Sequence, residues 1–299
     1  MCMTWRSRTF FTLLASTFLH SPVFAQEEQG LTIERLSETI YVLFGRGGNI
    51  GVSAGADGVF IIDDQFDGDA EMITQAVATL SDMPIDYVLN THWHWDHAGS
   101  NEFFGHAGST IIAHDKVRSR LESGIYFSQR DMDIPPAPKE ALPVITFSDS
   151  LSLHLNGDNV HMLHVAAGHT EGDGVVWFKD SNIVHMGDNF LVGIYPLIDV
   201  DDGGSLDGMI TTVETVLAFV NDETKIIPGH GPVSDKAGLL AYRDLCIALR
   251  DRITEMKGRG LSVEEMIAAG VTDGFDEAWN DWGEDWKSMS IRSLSAAIP

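Results

Sequence analysis

The chain has 299 residues, 44% of them hydrophobic, and 19 basic residues against 44 acidic ones give a formal charge of −25. That apolar content excludes long disorder and suits one large α/β domain or two small ones. So acidic a surface repels a phosphate backbone, which argues against nucleic acid as a partner; its plainest reading is solubility.

The first 25 residues are of a different kind. Arg6 and Arg8 open them, residues 10–19 are apolar but too few to span a bilayer, and Val23-Phe24-Ala25 offers a cleavage motif before Gln26. The segment 1–25 reads as a signal peptide, so the expectation is a periplasmic or secreted protein whose folded part is 26–299. Losing Arg6 and Arg8 leaves 17 basic against 44 acidic residues, a formal −27. Cys2 would leave with the signal, and Cys246, beside Leu245 and Leu249 in a helical pattern, would then be a lone buried thiol. No later stretch is long enough to cross a membrane.

Beyond Gly30 come short β-type runs at 40–44, 51–54 and 59–62, separated by glycine-rich turns. Residues 69–80 carry Met72, Ile73, Ala76, Val77 and Leu80 at helical spacing. Residues 85–89 read as a buried strand and 110–113 as another, followed by a short polar helix near 116–121. Residues 123–143 hold Pro135, Pro136, Pro138 and Pro143, and predict a long ordered loop or lid. A second β-rich stretch starts at Val144. Runs at 151–155 and 160–165 flank Asn156-Gly157, a hairpin signal, and runs at 175–178 and 183–186 continue it. Residues 206–220 form an amphipathic helix, 225–228 a last strand, and 239–256 a long helix. Two similar halves of strands and helices predict an α/β fold with sheets inside and helices outside, a four-layer αββα sandwich. Trp279, Trp282 and Trp286 fall at helical spacing and predict a C-terminal helix docked on the body.

His92, His94, Asp96 and His97 lie within six residues, directly after a predicted strand. In an extended segment His92 and His94 point the same way and can share one ion. A turn after Trp95 would aim Asp96 and His97 at a second. Imidazole and carboxylate are the usual ligands of a borderline cation such as zinc. His169, Asp188 and His230 each follow a later predicted strand and adjoin glycine. Of the other histidines, His114 reads as structural, His185 as support for Asp188, and His106 and His154 as surface residues.

This set, His-x-His-x-Asp-His followed by a His, an Asp and a His at successive strand ends, resembles the metallo-β-lactamase superfamily over roughly 31–256. The resemblance implies one Zn²⁺ on His92, His94 and His169, a second on Asp96, His97 and His230, and Asp188 bridging them in the manner of glyoxalase II. Iron and manganese stay open as alternatives to zinc. It implies a catalytic part for Asp96 and Asp188, an ionised water between the metals, and a small-molecule carbonyl substrate. Phe66, Tyr126, Phe127 and Tyr195 are the candidate substrate contacts. A periplasmic address favours β-lactam hydrolysis. Yet Asp188 stands where many β-lactamases carry cysteine, and Leu191 where they often carry a carboxylate-binding lysine. The expected activity is therefore opening of a cyclic amide or ester, β-lactamase-like and promiscuous. The alternatives are a glyoxalase II-type thioesterase or lactonase, which the acidic stretch 273–285 disfavours, and a non-hydrolytic metal-binding protein.

Overall fold

The structure is a computed structural model that describes Met1 and residues 30–298, so the predicted signal segment after Met1, Cys2 included, lies outside the described residues. The first half runs β1 (Thr32–Arg35), β2 (Ile40–Phe44), β3 (Ile50–Gly55), β4 (Gly58–Ile62), α1 (Ala70–Ala78), β5 (Ile85–Leu89), α2 (Asn101–Ala107), β6 (Thr110–His114) and α3 (Asp115–Ser123). A small hairpin, β7 (Ile125–Phe127) and β8 (Met132–Ile134), precedes β9 (Ile145–Phe147). The second half runs β10 (Ser150–Leu155), β11 (Asp158–Leu163), β12 (Val175–Phe178), β13 (Ile183–His185), α4 (Leu206–Phe219), β14 (Lys225–Ile227) and α5 (Lys236–Gly258). Three helices end it: α6 (Val263–Ala268), α7 (Asp276–Trp279) and α8 (Gly283–Ala297).

Two sheets result, a seven-stranded one ordered β1-β2-β3-β4-β5-β6-β9 and a five-stranded one ordered β10-β11-β12-β13-β14. Their side chains sort by the two-residue period of a strand. From β4, Phe60 and Ile62 face the second sheet, where Phe60 stacks on Phe178 at 5.9 Å. Val59 and Ile61 face outward to Ile73 and Val77 of α1 and Phe104 of α2. On the far side, Val175, Val184 and Ile226 meet α4, α5 and α8 through Met209, Val213, Leu245 and Leu294. Helices, sheet, sheet, helices: the αββα sandwich is present.

The strand order positions the site. β4, β5, β6 and β9 are mutually parallel, and so are β13 and β14, so several carboxyl ends open on one edge. Segments leaving those ends cannot continue the sheet and become loops, where ligands gather.

Three expectations change. Residues 123–143 are not one irregular loop but carry β7 and β8, with Phe127 buried and the Ala137 amide donating to Leu121 O (2.8 Å). Strand β1 and helix α2 have no counterpart among the predicted elements. The three tryptophans do not share one docking role. Trp279 and Trp286 pack on the core, but Trp282 faces outward.

Candidate metal centre

The segment after β5 delivers four donors in six residues. His92 and His94 lead into a turn in which the His97 and Ala98 amides both donate to His94 O at 2.9 Å. That turn brings Asp96 and His97 round to a second position. His169 arrives from the loop after β11, Asp188 from a 3-10 turn after β13, and His230 from the loop after β14, where it bridges Leu191.

Two groups form. His92, His94 and His169 present ligand atoms within 4.8 Å of one another, and Asp96, His97 and His230 do the same. Asp188 stands between them. Its Oδ1 lies 3.1 Å from His97 Nε2, and its Oδ2 lies 3.6 Å from His169 Nε2 and 3.7 Å from His230 Nε2. All seven predicted ligands therefore converge.

The outer hydrogen bonds decide which nitrogen of each ring faces inward. A carboxylate or a carbonyl can only accept, so the ring nitrogen touching it carries the proton. His94 donates from Nε2 to Asp199 (3.0 Å), His97 from Nδ1 to Asp63 (2.8 Å), and His169 from Nδ1 to Leu197 O (2.8 Å). The Thr91 hydroxyl gives its proton to Asp63 (2.7 Å) and so accepts from His92 Nδ1 (3.0 Å). The lone pairs of His94 Nδ1, His97 Nε2, His169 Nε2 and His92 Nε2 then point into the site. His92 Nε2 is buried without a hydrogen-bond partner. His169 Nε2 lies 2.9 Å from His94 Nδ1, and His97 Nε2 lies 3.3 Å from His230 Nε2. Acceptors that close repel unless a cation lies among them, so the donor set fits a bound metal.

The field agrees. Burial opposes charge on His97, but Asp188, Asp96 and Asp63 together outweigh it and hold its pKa well above the ordinary value. Burial and the neighbouring His97 keep His92 well below it, in the neutral form that a metal requires. Burial likewise opposes ionisation of Asp96 and Asp188, yet the surrounding imidazoles outweigh it and keep both carboxyls low.

The substrate candidates fare unevenly. Phe66 is half-buried and stacks beneath the Arg46 guanidinium at 4.8 Å. Phe127 is buried against His94 (5.7 Å) and Trp95 (5.5 Å), a wall behind the site rather than a contact surface. Tyr126 is exposed and engages Asp131. Tyr195 is wholly buried, its hydroxyl on Asp276 (2.5 Å), and it offers nothing to a substrate. Of the other histidines, His114 caps α3 by accepting from the Lys116 amide. His185 donates from Nε2 to Asn49 O (3.0 Å), which steadies the turn before β3.

Sequence reasoning missed Asp63, Asp199, Arg46 and Trp282. Asp63 carried a readable signal, since Asp63-Asp64 closes the apolar strand β4 at the ligand edge. Asp199 sits in an acidic run of several, with nothing to single it out.

A family model described as "Metallo-beta-lactamase superfamily" matches residues 43–232. Among curated proteins, the chain is 25% identical over 169 residues to a metallo-β-lactamase type 2 of Bacteroides fragilis, covering 55% of this chain and 61% of that one. It is 28% identical over 174 residues to a hydroxyacylglutathione hydrolase of Polaromonas sp., covering 57% and 58%. The chain thus spans about three fifths of the length of these relatives. A sec-alkylsulfatase from Pseudomonas sp. superposes with a TM-score of 0.64 at 17% identity, over 89% of this chain and 49% of that one.

Proposed function

The chain belongs to the metallo-β-lactamase superfamily, and from that premise we propose that it is a secreted, two-zinc hydrolase that opens a cyclic amide or ester of β-lactam type. The observation that carries the reading is the convergence of seven candidate donors, four of them imidazoles (His92, His94, His97 and His169) whose inward nitrogen is set by a hydrogen bond from outside. His92, His94 and His169 would hold one ion, Asp96, His97 and His230 the other, and Asp188 would touch both. When bound, such cations polarise a carbonyl and lower the pKa of water.

The chain's own residues supply positioning. Asp63 and Asp199 hold His97 and His94 in one tautomer, so the geometry is set before substrate arrives. Asp96 is the ligand-type carboxylate most open to the cleft, with its side chain 21% exposed, and it is kept ionised by His97 and His230. It is therefore placed to orient a polar group of the substrate. Trp93 and Phe127 exclude water from the His94 side.

A thioester is the second reading, favoured by the placement of Asp188 between both groups and by the likeness to a hydroxyacylglutathione hydrolase. Leu191 is buried beside His230, so no lysine from that position reaches a substrate carboxylate. The deciding experiment compares a β-lactam, a lactone and a glutathione thioester side by side, with chelator controls and metal analysis. Turnover of the cyclic substrates, lost with chelator, at about two zinc ions per chain is expected. Zinc-loaded protein inert on all three, or holding one ion or none, would sink the reading.

A further inference from the structure

Beside the metal centre lies an aromatic wall that ligand chemistry does not use. The Trp282 ring meets the His230 ring edge-on, with centroids 5.0 Å apart, yet the residue is 47% exposed. An exposed indole at the mouth of a cleft beside the ligand cluster offers a face on which a planar group can stack. It is held there. The Asp281 amide donates to Gly193 O (3.0 Å), and Asn280 bridges Ile194. Trp286 packs edge-on against Trp282 at 4.5 Å and donates from Nε1 to Tyr195 O (2.9 Å).

Together with Trp282, Phe44, Arg46, Asn49 and His230 line a cleft of about 400 Å³. The Asn49 amide is committed to Pro228 O and Gly231 O, so it has no donor to spare. Arg46 does. Asp69 takes Nε and Nη2 at 2.9 Å and Phe66 supports its plane, which leaves Nη1 without a partner among the described residues. In so acidic a chain a fixed guanidinium at the mouth is where an anion can be met.

We propose that this cleft is a substrate subsite in which Trp282 stacks on a planar group attached to the hydrolysed carbonyl and Arg46 holds a carboxylate carried by that group. The substrate class is then an aryl-bearing carboxylic acid derivative, rather than a neutral aliphatic ester or lactam. The inference rests on the hydrolase reading for its meaning, but its test needs no turnover.

The test is calorimetric binding of benzoate, benzamide and cyclohexanecarboxylate to the full metal-loaded chain. Benzoate is expected to bind about tenfold more tightly than either of the others. W282A should bring benzoate down to the cyclohexanecarboxylate level, and W282F should restore most of the loss. R46Q should weaken benzoate and leave benzamide unchanged. Benzoate held only by the metal ions would bind W282A and R46Q as well as it binds the parent chain, and that result overturns the proposal. So does equal binding of benzoate and benzamide. With any substrate that turns over, W282A should raise KM about tenfold at near-constant kcat; a loss confined to kcat would also overturn it. Failure here leaves the hydrolase reading standing, and an inert enzyme that still selects benzoate leaves the subsite standing.

Discussion

A histidine serves a metal only from the nitrogen that carries no proton, so the groups behind the rings matter as much as the rings themselves. Asp199 behind His94 is the clearest case, since its carboxylate is fully buried and accepts at 3.0 Å. Replacing Asp199 by Ala frees the ring to rotate or change tautomer, and should weaken metal binding roughly 10- to 100-fold at the group it supports. Competition with a chromogenic chelator reads that directly, and an unchanged affinity would remove Asp199 from the design. Asp188 differs in kind. It reaches donors of both groups, so Asp188→Ala should lower occupancy of both ions, whereas His169→Ala should mainly strip one. Metal-to-protein ratios for the two variants decide the matter, and equal, mild losses would argue against a bridging carboxylate.

At the scale of elements, the turn between β2 and β3 is a tight joint in the site. A side chain on Gly48 would place its Cβ 2.1 Å from His97 Cε1, and the Gly48 amide donates to Asp96 O (2.9 Å). Gly48→Ala should therefore push the turn or the imidazole aside. The expected result is loss of the ion on Asp96, His97 and His230 with the fold retained, read by metal content beside circular dichroism; full occupancy would show that the turn yields instead. Legibility also differed between elements. α4 was plain because six residues from Leu206 to Val216 are buried on one helical face. The three-residue strands β7 and β8 are too short to display a period, and α2 has only seven residues with Gly105 among them. Tyr195 misled for another reason. A tyrosine in a Pro-flanked loop looks like a surface contact, but Asp276, from a helix remote in sequence, captures its hydroxyl.

For the whole molecule the sequence makes a claim about maturation. If residues 1–25 are removed on export, intact mass should begin at Gln26 and the protein should hold a single thiol. Cys246 is buried in the core around α5, and burial pushes its pKa up, so the native protein should not react with a disulfide reagent. Unfolding in denaturant should release one thiol; a second would mean that Cys2 is retained. Among the described residues no helix is long and apolar enough to cross a membrane. The C-terminal helices complete the cleft as well as the core: Leu294 and Ile291 of α8 bury themselves while Trp282, just before that helix, stays at the metal centre.

Short-range pattern predicted the sandwich and picked out the seven candidate ligands, and a family resemblance divided them between two ions. Strand and helix periods are local, and the ligand chemistry is carried by residue type and by position after a strand. Tertiary structure alone decided what stands behind and beside those ligands. Asp199 is 105 residues from His94, Trp282 is 52 from His230, and Arg46 reaches the same cleft from the opposite half of the chain. Nothing in local spacing joins such pairs. They meet because two separately patterned sheets bury their apolar faces against each other, and that packing brings their loop-bearing edges together.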